Sequence, residues 1–365
     1  MMLGRLTRRV RALRATIVFS LLALPAFAAG CTDSLVGPAA TSNNGALFDE
    51  LWHDVDRHYP FLEYKHLNWD SLGAVYRPRA VAAAGDAALA AVLGGLLVEL
   101  RDPHVSLSPA GQPAIRYITP FAALFDPEAT LQQYVSSAAR TPGDHVVYGE
   151  VAPGVGYVRI ASFLGAGWSD EIDGALAALA ERGANTAVVI DLRGNLGGDR
   201  ATAVAVAGRF ADRERTFGYL RFRNGAQHGD FTPYAAERVA PEGARRFAGP
   251  TYLLTDRHVM SAAEEFVLAL RATPTATVVG DTTGGASGGP VTRELSNGWT
   301  YELSQWIECT ASGSVYENVG LPPDVAVAAD SAIARRESDP ALERAIALAE
   351  GRIRVAVERR TISLW

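Results

Sequence analysis

Four short segments carry side chains that could do chemistry. Met260-Ser-Ala-Ala-Glu-Glu265 puts a serine ahead of an apolar run with helical spacing. A hydroxyl at that place sits among free helix N–H groups, a partly positive setting that favours an alkoxide or an oxyanion. The same Ser-x-x-Glu spacing is also a capping box, in which Ser261 and Glu264 simply close the helix start, and the two roles are compatible. Asp191-Leu-Arg-Gly-Asn-Leu-Gly-Gly198 holds Gly194, Gly197 and Gly198, which let the backbone turn sharply and present N–H groups to a ligand. An ordinary tight turn is the competing reading. Leu100-Arg-Asp-Pro-His104-Val-Ser106 supplies a histidine whose ordinary pKa suits a base near neutrality. It is one of seven histidines, and a surface turn would also accommodate it. Finally, Tyr316-Glu-Asn-Val-Gly-Leu-Pro-Pro-Asp324 places Glu317 in a turn-rich stretch, where a loop ion pair or a cap would serve equally well.

Composition narrows the chemistry. A chain of 365 residues suggests about two domains, or one large domain with an appendage. With 48% apolar and 20% charged residues it can build a core and is not a disordered chain. A net charge of −6 argues against a general nucleic-acid binder. Lys65 is the only lysine. That excludes a P-loop lysine, a Schiff base or a Ser–Lys dyad anywhere outside its neighbourhood. Cys31 and Cys309 cannot form a disulfide framework or a cysteine-rich zinc site, and Cys309 is expected to be a buried structural thiol. The histidines are scattered, with no metal-binding spacing and no implied cofactor.

The elements that must position these residues follow from periodicity. Phe48, Leu51, Trp52, Val55 and Tyr59 share one helix face before Pro60 stops the run, and Asp86–Leu100 forms a second apolar helix. Residues 105–145 are punctuated by Pro and Gly, with a short strand-like piece at 115–119. Beyond them strands and helices alternate. Strands are expected at 155–160, 186–192, 251–254 and 276–280. Helices are expected at 169–182, with Ser169 as N-cap, and at 200–210 and 261–271. A last helix begins after Ser338-Asp-Pro340. This alternation predicts an α/β domain with substantial parallel pairing. The Arg-rich stretch 214–248 is either a lid or a long hairpin.

Taken in order, these segments resemble the tail-specific or C-terminal processing protease superfamily. Besides the segments above, the resemblance rests on Tyr59-Pro-Phe61…Lys65…Trp69, Gly156-Tyr-Val-Arg-Ile160…Phe163, Val279-Gly-Asp281…Thr283 and Gly320…Pro323-Asp324. It spans about residues 46–330. It implies a crotonase/ClpP-like spiral β/α catalytic core (104–330) behind a small helical domain (46–103), with a helical extension at 331–365. The Ser–Lys members place their lysine where this chain has Ala286, so the chain is similar instead to the branch of the tricorn core and the interphotoreceptor retinoid-binding protein. Only about 50 residues separate His104 from the strand at Gly156, too few for a peptide-reading PDZ module with its linkers. The resemblance implies Ser261 as nucleophile, His104 as base and Glu317 as the group that orients it, directly or through a hydroxyl. It places the oxyanion donors at Ala262 and at Gly197 or Gly198, and the substrate is a peptide or unfolded protein. His258, three residues before Ser261, is a rival base. An inactive carrier of apolar ligands on the same fold is the alternative function.

Residues 1–30 have the form of an export signal: five arginines, then an apolar stretch from Ala15 to Ala29. Ala28-Ala-Gly-Cys31 resembles a bacterial lipobox, which implies lipidation of Cys31, a bilayer as partner and a cell-envelope location. Residues 31–45 then form a flexible tether. Removing residues 1–30 leaves 29 bases against 40 acids, a markedly more acidic chain than the −6 suggests.

Overall fold

Apolar alternation builds a sheet that is buried on both faces. The computed structural model describes residues 44–122, 125–327 and 338–351; the segment expected to be an export signal and Cys31 lie outside them. The central sheet has seven strands, in the order β14 (Val325–Ala326), β10 (Ala276–Gly280), β9 (Thr251–Thr255), β6 (Ala187–Asp191), β5 (Val155–Ile160), β4 (Val146–Ala152) and β3 (Ser136–Arg140). From β5 to β14 every pairing is parallel, and β3 and β4 join antiparallel at one edge. Val158, Ile160, Val188 and Ile190 face one core with helices α5 (Glu171–Glu181), α6 (Arg200–Gly208) and α7 (Ala262–Arg271). The alternate residues Tyr157 and Val189 face a second core with Ala341, Leu342 and Ala345 of α8 (Pro340–Ala349). Two covered faces explain why β5 and β6 are apolar at almost every position.

The helical region consists of α1 (Asn44–His58), α2 (Trp69–Val81) and α3 (Asp86–Val98). Helix α2 escapes sequence periodicity because its apolar stripe is weak and Pro78 lies inside it; Asn68 caps it by accepting the Ser71 N–H at 2.9 Å. Leu51, Val55 and Leu93 share one apolar core with Leu107, Trp299 and Leu303. Those last residues belong to or flank a four-stranded antiparallel sheet ordered β11 (Pro290–Glu294), β12 (Thr300–Ser304), β1 (Ser106–Ser108) and β2 (Ile115–Arg116). The helices and this sheet therefore form a common body. Helix α4 (Pro127–Tyr134) precedes β3.

One local expectation changes, and one stated alternative is found. Helix α5 begins after Asp170, not Ser169, and Asp170 turns its carboxylate to Arg209 Nη2 at 2.7 Å instead of capping the helix. The 214–248 stretch contains a hairpin: β7 (Arg215–Phe222) pairs antiparallel with β8 (Ala235–Val239) and with β13 (Trp306–Thr310). Beyond β7 the hairpin reaches the helical region, where Arg223 donates to the Tyr59 carbonyl at 3.2 Å and His228 Nε2 lies 2.8 Å from Asp56. Cys309 is buried on β13, and burial raises its thiol pKa.

Candidate active site

The chain leaves β9, turns at Ser261 and enters α7. Ser261 has φ +56° and ψ −130°, a conformation rare for a residue with a side chain and worth about 1–3 kcal/mol of strain. Such a strained strand-to-helix turn pushes a hydroxyl clear of the helix start. Neighbouring bonds hold it in place. Met260 N–H donates to the Asn195 carbonyl at 3.1 Å, and Ser261 N–H donates to Glu264 Oε2 at 3.1 Å. The wholly buried Glu264 also accepts from Thr283 Oγ1 (2.5 Å), Gly285 N–H (2.9 Å) and Ala286 N–H (2.8 Å). This half of the capping box thus ties the serine turn to the 283–286 loop. Burial pushes the Glu264 carboxyl up to about 7, against those four donors.

His104 follows α3 and lies across the cleft, with Nε2 2.9 Å from Ser261 Oγ. Its other nitrogen, Nδ1, is buried, has no hydrogen-bond partner among the described residues and lies 3.9 Å from Asp102 Oδ1. Asp102 is the acid beside it, so the proton belongs on Nδ1 and Nε2 is left to accept. Burial lowers the His104 pKa below its usual 6.5, although Asp102 and Glu302 pull it upward. The ring is therefore neutral at neutral pH.

Asp102 is 0% exposed and accepts from His104 N–H (2.9 Å), Tyr59 Oη (2.9 Å) and Ser304 Oγ (2.8 Å). Burial alone would raise its pKa, but Lys65, His104 and these donors outweigh it and hold the group below the usual carboxylate value.

Glu317 lies elsewhere than expected. Its Oε1 pairs with Lys65 Nζ at 2.8 Å, and its Oε2 accepts from Ser287 N–H (2.8 Å) and Ser287 Oγ (3.0 Å). Among the described residues none of its hydrogen bonds goes to His104, and the Ser287 hydroxyl makes no onward bond to the ring. The route runs through Lys65 Nζ, which donates to Tyr59 Oη at 2.9 Å, and from Tyr59 to Asp102. Burial, then the Asp102 charge, push Glu317 up to about 7, with Lys65 opposing.

The glycine turn follows β6. Gly197 (φ +100°) packs so closely that a Cβ would lie 2.8 Å from Ser261 Cβ. Its N–H is already committed, donating to Asn195 Oδ1 at 2.9 Å, which removes it from the expected oxyanion donors. Gly198 and Ala262 N–H have no protein partner among the described residues and flank the serine turn. The rival His258 donates its backbone N–H to Asp256 at 2.9 Å and lines a separate cavity of about 200 Å³ with Phe125, Arg159, Arg193 and Leu196. Sequence reasoning missed Asn195, Tyr59, Lys65 and Asp102 as site residues. Each stood inside a motif, but nothing in the spacing said what it touches.

Comparison with known proteins points to a family of peptidases. Residues 154–327 match Peptidase family S41, and residues 45–97 match the Tricorn protease C1 domain. The chain is 28% identical over 182 residues to the carboxy-terminal processing protease CtpA of Bacillus subtilis (strain 168), a match covering 49% of this chain and 36% of that relative. The chain thus spans about a third of the length of that curated relative. Among solved structures, a candidate peptidase from Parabacteroides merdae ATCC 43184 superposes with TM-score 0.76 at 28% identity, over 85% of this chain and 97% of the other. Mature CPAF complexed with lactacystin shares the fold at TM-score 0.64 and 12% identity, over 85% and 99% of the two chains. The tricorn protease does so at TM-score 0.52 and 14% identity, over 85% and 37%.

Proposed function

Because residues 154–327 match Peptidase family S41, we propose that this chain is a serine-type endopeptidase of the cell envelope acting on unfolded or peptide substrates through Ser261. The observation that carries this reading is the 2.9 Å contact between His104 Nε2 and Ser261 Oγ. His104 takes the serine proton as Oγ attacks the peptide carbonyl, then returns it to the leaving amine. Asp102, buried beside Nδ1, stabilises the imidazolium that forms between the two steps. Gly198 and Ala262 N–H receive the oxyanion, and losing one such donor typically costs about 10²–10³ in rate. Fluorophosphonate labelling tests the assignment: the wild-type protein takes up one adduct on Ser261, and Ser261→Ala and His104→Ala do not.

The envelope location rests on Ala28-Ala-Gly-Cys31 behind an arginine-led apolar segment. A cysteine carrying two chains anchors far better than a single chain would. In a bacterial host, metabolic labelling with a fatty-acid analogue should mark the wild type and not Cys31→Ser, and the variant should shift to the soluble fraction. Equal labelling of both would exclude the anchor.

A further inference from the structure

The only lysine of the chain lies in the buried heart of the site, although among the described residues none of its hydrogen bonds goes to Ser261. Lys65 follows α1 in the helical region and reaches four groups from different parts of the chain, the longest bond being to the Arg101 carbonyl at 3.5 Å. Its Nζ is 2.8 Å from Glu317 Oε1, 2.9 Å from Tyr59 Oη and 3.0 Å from the Leu100 carbonyl, with Asp102 Oδ2 at 3.9 Å. Phe61 and Tyr59 place their rings 5.3 and 5.6 Å from the ammonium. The Asp102 and Glu317 side chains are 0% exposed, and Lys65 is 7% exposed. Two buried carboxylates beside one buried ammonium and one neutral histidine form a single electrostatic unit.

Resting on the peptidase reading above, we propose that Lys65 is a positioning residue for His104: it holds Asp102 ionised and offsets the charge on Glu317, so that the histidine faces one fixed anion without the added pull of a second and stays free of protons until the serine delivers one. The argument is one of charge balance. Without the ammonium, two buried carboxylates of like sign cannot both stay charged at little cost, and one takes up a proton. Glu302, which faces His104, and Tyr64, which donates to the Glu317 carbonyl at 3.3 Å, supply no replacement cation. Arg223 bonds the Tyr59 carbonyl, on the far side of that residue from its hydroxyl. The reactive state has His104 neutral and Asp102 charged. Removing a cation raises the proton affinity of the whole cluster, so the acid limb of activity moves to higher pH.

The test is the rate of fluorophosphonate labelling of Ser261 against pH in the full chain, with thermal unfolding in parallel. Lys65→Met should move the acid limb up by about one pH unit or more. Glu317→Gln removes an anion and should move it down. The double variant Lys65→Met/Glu317→Gln restores the charge balance and should return the limb close to its wild-type place. A purely structural lysine would lower stability and labelling rate without moving the limb, and that result overturns the proposal. So does a double variant whose limb stays where Lys65→Met puts it. If Lys65→Met fails to fold, the downward shift in Glu317→Gln and the wild-type limb of the double variant decide alone. Ser261→Ala is the separate control: if it still takes the label, the peptidase reading fails, whatever the limbs do.

Discussion

Asn195 Oδ1 accepts the Gly197 N–H at 2.9 Å, and Asn195 Nδ2 donates to the Ile160 carbonyl at 3.0 Å. One buried amide therefore pins the glycine turn to the end of β5 and takes Gly197 out of the pool of oxyanion donors. Asn195→Ala leaves a buried N–H without a partner, which costs about 1–3 kcal/mol. It also releases the turn that carries Gly198, and a displaced oxyanion donor costs about 10²-fold in rate. Thermal unfolding and labelling rate together check this; unchanged labelling in a folded Asn195→Ala protein contradicts the assignment.

Gly198 and Gly194 separate space from strain. A Cβ on Gly198 (φ +141°) would run into the backbone of Phe163 and Leu164, and the bonds from Asp199 N–H to the Phe163 carbonyl (2.7 Å) and from Phe163 N–H to the Gly197 carbonyl (2.9 Å) hold both chains there. Gly194 (φ +78°) has open space where its Cβ would stand. Gly198→Ala should abolish labelling. Gly194→Ala should cost only about 1–2 kcal/mol of stability and keep most of the activity.

Glu264 tests how the strained serine turn is held. All its contacts are donors, from Thr283, Gly285, Ala286 and Ser261. Glu264→Gln turns one acceptor into an N–H₂ group that faces N–H groups, so the near-isosteric change should destabilise the protein by about 1–3 kcal/mol and slow labelling. A Gln variant as stable and as reactive as wild type would show that the turn needs no such clamp.

The pH dependence follows from His104. Burial holds its pKa below 6.5, and the base must be neutral to act. Labelling of the wild type should therefore stay at its plateau as pH falls from 8 to about 6.5 and decline only below that. A limb centred above 6.5 would contradict a desolvated, neutral base.

Much of the fold was legible because both faces of the central sheet are covered. Val155–Ile160 and Ala276–Gly280 appear at their expected bounds, and the last helix starts at Pro340 behind Asp339, whose carboxylate accepts the Leu342 N–H. In the four-stranded sheet the piece at Ile115–Arg116 was anticipated, but strands such as Pro290–Glu294, with exposed and half-buried residues only, carry no continuous apolar run and escaped notice. In the site, Ser261 and His104 were legible because their neighbours carry recurrent motif spacing. Lys65 and Glu317 are 252 residues apart, and nothing local in either segment points to the other. The resemblance led toward Glu317 as the partner of the histidine. The folded chain gives that carboxylate to Lys65 and Ser287 and sets Asp102 beside the ring, because Asp102 lies two residues from His104 and already accepts its backbone N–H.

The most direct measurement is intact-mass spectrometry after fluorophosphonate treatment at neutral pH, applied to the wild type and to Ser261→Ala, His104→Ala and His258→Ala. The account predicts one adduct, mapped to Ser261, in the wild type and in His258→Ala, and none in the other two. A His104→Ala protein that labels at the wild-type rate, beside a His258→Ala protein that does not label, would contradict it.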